Sequence, residues 1–154
     1  MKLGRRSAFT LIEVMIVVVI MAILAGTIIP RMSNTTDDAK EALLRHHLRT
    51  FRMQIEVYKV QHNGKLPTGF SQLNQLTKAT NAAGVVGPTN QPTATHPLGP
   101  YLPRIPDQPF SGSNHVQLIT GAATPSFTAA PGNGWIYQFG TGKLWVDHAD
   151  YSDW

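Results

Sequence analysis

Glu13 is the side chain whose type and place most call for a chemical explanation. It lies four positions after Phe9, in a stretch from Phe9 to Ile29 whose other polar side chains are only Thr10 and Thr27. As a helix this stretch spans roughly 30 Å, the thickness of a bilayer's hydrocarbon core. A carboxylate there costs on the order of 3 kcal/mol near the centre and less toward an end, so it needs a partner or a function. Lys2, Arg5 and Arg6 precede the stretch, and positive charge on that side orients an anchor with its N-terminus in the cytoplasm. An ordinary secretory signal has a shorter apolar core of about 7 to 15 residues, and a plain signal anchor leaves Glu13 unexplained.

A second group of carboxylates, Asp147, Asp150 and Asp153, sits at the C-terminus. Clustered carboxylates with backbone carbonyls suit calcium, a hard cation, although the spacing matches no EF-hand loop and a charged tail can also be merely solvated. The histidines at 46, 47, 62, 96, 115 and 148 show no zinc-ligand spacing, and adjacent His46 and His47 point apart on a helix. No nucleophile elbow, phosphate loop or dinucleotide glycine pattern is found, and Gly140-Thr141-Gly142 lacks both the third glycine and the following helix. An enzyme is not indicated. Removing Lys2, Arg5 and Arg6 from the 13 basic residues leaves 10 against 9 acidic ones, so bulk charge does not support nucleic-acid binding. Cysteine is absent, which excludes disulfides and thiolate metal sites.

The elements that must position these groups follow from periodicity. Ser33 to Asp38 supplies capping residues and acids, Asn63-Gly64 supplies a stop, and one amphipathic helix is expected over 37–62. Along it Leu44, Leu48, Phe51, Ile55 and Tyr58 form one apolar stripe that should pack on a sheet. Phe70 to Leu76 reads as a short helix with Phe70, Leu73 and Leu76 inward. Residues 79–100 read as a long, exposed loop and 97–110 as a proline-rich strap anchored by Tyr101, Leu102, Ile105 and Phe110. Strands are expected at 115–120, 135–140 and 143–147, the last two as a hairpin turning at Gly140 to Gly142 with its aromatic side on the helix.

The leader with Lys2, Arg5 and Arg6, followed by Phe9-Thr10-Leu11-Ile12-Glu13, resembles the prepilin signal of type IV pilins and of type II secretion pseudopilins. The segments Asn63 to Thr68 and 97–110 further resemble the major pseudopilin. The resemblance implies cleavage between Ala8 and Phe9, where Ala8 replaces the family's usual glycine, and methylation of the Phe9 amine. It implies that Glu13 meets a neighbouring subunit's amine and that Pro30 bends the helix. The implied fold is α+β and pilin-like: a long N-terminal helix, membrane half plus amphipathic half, on a small antiparallel sheet with long loops. The domains would be a leader at 1–8, a transmembrane and assembly helix at 9–29 and a periplasmic head at 30–154. The family's calcium site in its C-terminal loops raises the interest of Asp147, Asp150 and Asp153.

The function implied is a structural, non-enzymatic subunit of a type II secretion pseudopilus, polymerised through its N-terminal helix to drive protein export. Expected partners are further copies of itself, the prepilin peptidase and methyltransferase, the inner-membrane assembly platform, minor pseudopilins, and membrane lipid before assembly. The expected location is the bacterial inner membrane, single-pass with the head periplasmic, and then the pseudopilus. Two alternatives stand beside this reading: a type IV pilin of a surface fibre, whose major forms often close a loop with a disulfide this chain cannot make, and a monomeric anchored domain that binds a ligand with its loops.

Overall fold

A computed structural model describes residues 9–68, 70–121, 124–127 and 133–154; the side chains of residues 27–35, 70 and 71 are outside that description. The chain forms helix α1 (Leu11–Gln61), helix α2 (Phe70–Thr77), strands β1 (Val116–Thr120), β2 (Trp135–Phe139) and β3 (Lys143–Val146), and a closing 3-10 turn (Ala149–Tyr151). It divides into two compact units, the second being Lys40–Trp154.

Helix α1 joins the expected membrane and amphipathic halves into one long helix, without the separate start at Asp37 that the capping residues predict. It runs helical through Pro30 and through Ser33 to Asp38. One proline removes a single backbone donor, and acids and small polar residues lower helix propensity by only fractions of about 1 kcal/mol each. The Pro30 side chain lies outside the described residues, as does that of Phe70.

In the second unit the stripe Leu44, Leu48, Phe51, Ile55 and Tyr58 is buried, in one cluster with Leu73, Leu76, Leu102, Ile105, Val116, Trp135, Tyr137, Leu144 and Val146. Trp135 meets Phe51 edge to face with ring centroids 5.7 Å apart, and its Nε1 donates to Pro106 O at 2.8 Å. The hairpin's aromatic side therefore lies on the helix and also holds the proline strap. Leu102 and Ile105 are buried as strap anchors, and the Tyr101 and Leu102 amides both donate to Leu76 O at 2.8 Å.

The sheet is mixed rather than antiparallel. β2 is central, parallel to β1 with Val116 opposite Trp135, and antiparallel to β3 with Trp135 opposite Val146. A parallel pair needs a crossover of about a dozen residues or more, and the stretch from Gly121 to Gly134 is long enough to make one. Gly134 is required at its end, because a side chain there would collide with the carbonyl of Ser113.

The 79–100 segment is fastened where the sequence suggests a free loop. Thr80 bridges both Val86 and Leu98, the Asn81 side chain accepts the amides of Ala83 and Val85 at 3.0 Å, and Gln75 ties Thr68 to Gly84. His62 is buried at the end of α1, stacked on Tyr58 at 3.7 Å, with Nδ1 facing Tyr58 O and Nε2 facing the Thr80 hydroxyl at 3.0 Å. That histidine is structural: it joins the helix end to the loop.

Trp135→Ala removes the largest buried side chain and should cost about 3–5 kcal/mol, read as a shifted midpoint in chemical denaturation of the detergent-solubilised chain. Burial, with Tyr101 nearby, pushes the Tyr58 phenol up to about 12, and burial also raises Tyr101 and Tyr137. Folding thus favours the neutral phenols, so stability is full below the unfolded value of about 10 and is lost as pH rises through the folded one. Thermal melting in alkaline buffers should show Tm falling from pH 10 to about 12, and Tyr58→Phe should make that fall shallower.

Candidate functional site

At the start of α1 the sequence Thr10-Leu11-Ile12-Glu13 closes a capping box. Glu13 Oε2 accepts both the Thr10 amide and the Thr10 hydroxyl at 2.8 Å, while the Glu13 amide donates back to Thr10 O at 3.2 Å. A threonine followed three residues later by glutamate is the sequence signature of that motif, and it identifies Thr10 as the cap residue that positions Glu13, which the resemblance alone passes over. Both cap bonds end on one oxygen, so the carboxylate keeps Oε1 as a further acceptor. Such a group suits an ammonium ion, with which a charge-assisted hydrogen bond is roughly twice as strong as a neutral one.

Phe9 is 86% exposed beside this cap; Ala8 lies outside the described residues. Beyond the cap the large apolar side chains from Leu11 to Leu24 are exposed around the whole helix circumference, none of them below 49%. Among the described residues no helix is long and apolar enough to cross a membrane. The residues 27–29 that complete the predicted span have side chains outside the description.

The three C-terminal aspartates do not come together as a ligand set. Asp147 is buried, with its amide bonded to Gly134 O, whereas the Asp150 side chain is 82% exposed on the 3-10 turn. Among the described residues no group of three histidine, cysteine or acidic side chains could hold a metal. The tail is instead held by rings and cations. Phe110, His148 and Tyr151 form a cluster of three rings with centroids 5.1 to 5.5 Å apart, Trp154 adds to Tyr151 at 4.6 Å, Lys40 lies over Phe110, and the Arg45 guanidinium is 4.4 Å from the Trp154 ring. Arg52 adds two bonds to Leu144 O, at 2.7 and 3.2 Å, fixing β3 to the helix. Sequence spacing gives no hint of the Arg45 to Trp154 contact, which depends on where the tail returns.

Comparison with known proteins identifies the same N-terminal region. Residues 3–29 match the prokaryotic N-terminal methylation motif. Over 118 residues the chain is 30% identical to the type II secretion system core protein G of Klebsiella pneumoniae, covering 76% of this chain and 77% of that protein. The protein of the same name in Pseudomonas aeruginosa is 30% identical over 125 residues, covering 81% and 82%. That of Vibrio cholerae is 29% identical over 120 residues, covering 78% and 75%. No solved structure matches the chain. The methylation motif and the likeness along most of both chains lead to one assignment: this protein belongs to the type II secretion system core protein G family, the major pseudopilins.

Proposed function

We propose that this pseudopilus subunit is cut between Ala8 and Phe9 by a prepilin peptidase, methylated on the new Phe9 amine, and added to a growing filament through Glu13. The observation that carries the reading is the Glu13 carboxylate at the start of the apolar helix, with both cap bonds on Oε2 and Oε1 outside them. Its Oε2 caps the subunit's own helix through Thr10, and its Oε1 receives the ammonium of a neighbouring subunit's Phe9. The cap lies wholly C-terminal to the cut, so processing leaves it intact. Pairing offsets the cost of a carboxylate among apolar side chains, and an unpartnered subunit lacks that compensation.

Before assembly the apolar helix from Phe9 to Ile29 anchors the subunit in the inner membrane, with the leader cytoplasmic and the head periplasmic. Pro30 gives the helix freedom to bend where it leaves the lipid. The assembly platform and minor pseudopilins then receive it, and filament growth pushes exported proteins outward. The work is mechanical: the subunit acts by packing, without catalysis and without nucleic acid.

Intact mass and N-terminal sequencing of the protein from its host's membranes should give a chain starting at Phe9 and one methyl group heavier; a chain starting at Met1 overturns the processing. Glu13→Gln separates the two uses of the carboxylate, because glutamine still caps the helix but cannot form the ion pair. Sedimented filament should fall at least about tenfold, as expected for losing an interaction of about 1.4 kcal/mol or more per contact. Thr10→Val removes the hydroxyl's part of the cap while the Thr10 amide still bonds Glu13, and should weaken the helix start by up to about 1 kcal/mol, read as greater amide exchange in the first turn.

A further inference from the structure

The sheet is open along β1, which lies at its edge. His115 O accepts the Trp135 amide, so His115, Gln117 and Ile119 turn their backbone groups to β2, whereas Val116, Leu118 and Thr120 turn theirs away from it. The Val116 amide is taken, donating to the Gln72 side chain at 2.9 Å. The outward backbone groups of Leu118 and Thr120 have no partner among the described residues, and both residues are exposed, Leu118 at 37%. Native edges are commonly blunted by charges, proline or a bulge. The five residues of β1 contain no charge and no proline, and they pair with β2 without a bulge.

Beside Gln72 a groove of about 760 Å³ opens between α2, the 79–100 segment and the strap. Lys78, Arg104 and His115 line it with the amides of Asn74, Asn90 and Asn114, and none of its lining side chains is acidic. Lys78 makes no ion pair among the described residues. Arg104 meets Asp107 through one nitrogen at 3.1 Å and is 72% exposed, which leaves its other donors available.

We propose that the open edge of β1 and this groove form one site for an extended acidic polypeptide segment of another protein. The segment adds a strand to β1 at Leu118 and Thr120, so main-chain bonds hold it and the groove selects its sequence. Antiparallel pairing, the more stable per residue, brings its C-terminal side toward Val116. There Gln72 ends the ladder, and the carboxylates that follow enter the groove beside Lys78 and Arg104. The asparagine amides offer both donors and acceptors to the backbone where it leaves the sheet. Charge complementarity selects this occupant over a second copy of the chain. A copy paired antiparallel along the same edge brings to the groove the residues after its own Thr120, where the first acid is Asp147.

Fluorescence anisotropy of a labelled peptide, Thr-Val-Thr-Val-Asp-Glu, titrated with the full-length chain in detergent tests the site. The peptide should bind, and a version ending in Lys-Lys should bind at least about fivefold more weakly. Lys78→Glu should reverse that preference. Leu118→Pro removes an amide that β2 does not use and that an edge position can spare; affinity should fall about tenfold at an unchanged denaturation midpoint. One alternate set of peptide amides, the threonines' or the valines', faces β1, so N-methylating one set should weaken binding about tenfold and methylating the other should not, with the protein itself unaltered. Absence of binding, equal binding of the acidic and lysine peptides, or equal tolerance of both methylated sets overturns the site. So does undiminished binding to a folded Leu118→Pro, or a wild-type dimer in sedimentation that Leu118→Pro abolishes, which assigns the edge to a second copy.

Discussion

The contact between the Phe51 stripe of α1 and Trp135 on the central strand is the interaction on which the head depends. Trp135 fills the core edge to face with Phe51 and spends its one polar atom on the strap carbonyl of Pro106. Helix, sheet and strap therefore share one side chain. Because β2 is bonded on both edges, whatever sets Trp135 also sets β1 and β3. A chain without cysteine has no covalent link to hold these parts, and close packing around one large aromatic does that work.

The same economy appears at the C-terminus. The aspartates do not gather around an ion site among the described residues, yet the tail is held by a cluster of four rings flanked by Lys40 and Arg45. Cation–π contacts are worth about 0.5–1 kcal/mol each where exposed. One of them, Arg45 on Trp154, lies on the tail itself, and Lys40 on Phe110 holds the strap ring against which the tail packs. Arg52, carrying β3 on its guanidinium, makes the basic side of α1 a structural surface as well as a soluble one.

One helix thus meets three different demands along its length. Its first turn is capped by a carboxylate with capacity for a second partner. The next turns are apolar all round, and the head's turns are apolar on one side for the core. The first two lie within the stretch that matches the N-terminal methylation motif. The third is met by the subunit's own sheet, which covers that side.

By itself the sequence determined the long N-terminal helix though not its continuity past Pro30, the short second helix, the hairpin, the strap anchors, the core stripe and the place of Glu13 in an apolar run. Those features are local: a period, a turn glycine, or a lone charge in an apolar run is decided within a few residues. Three-dimensional folding alone decided that β1 runs parallel to β2, that 79–100 is fastened through Thr80, Asn81 and Gln75, that Asp147, Asp150 and Asp153 stand apart, and that Trp154 lies on Arg45. Each of these pairs residues far apart in the chain or depends on the path of a loop. Alternation within a strand carries no information about its neighbour's direction, and acids spaced along a tail need not converge once one of them is buried.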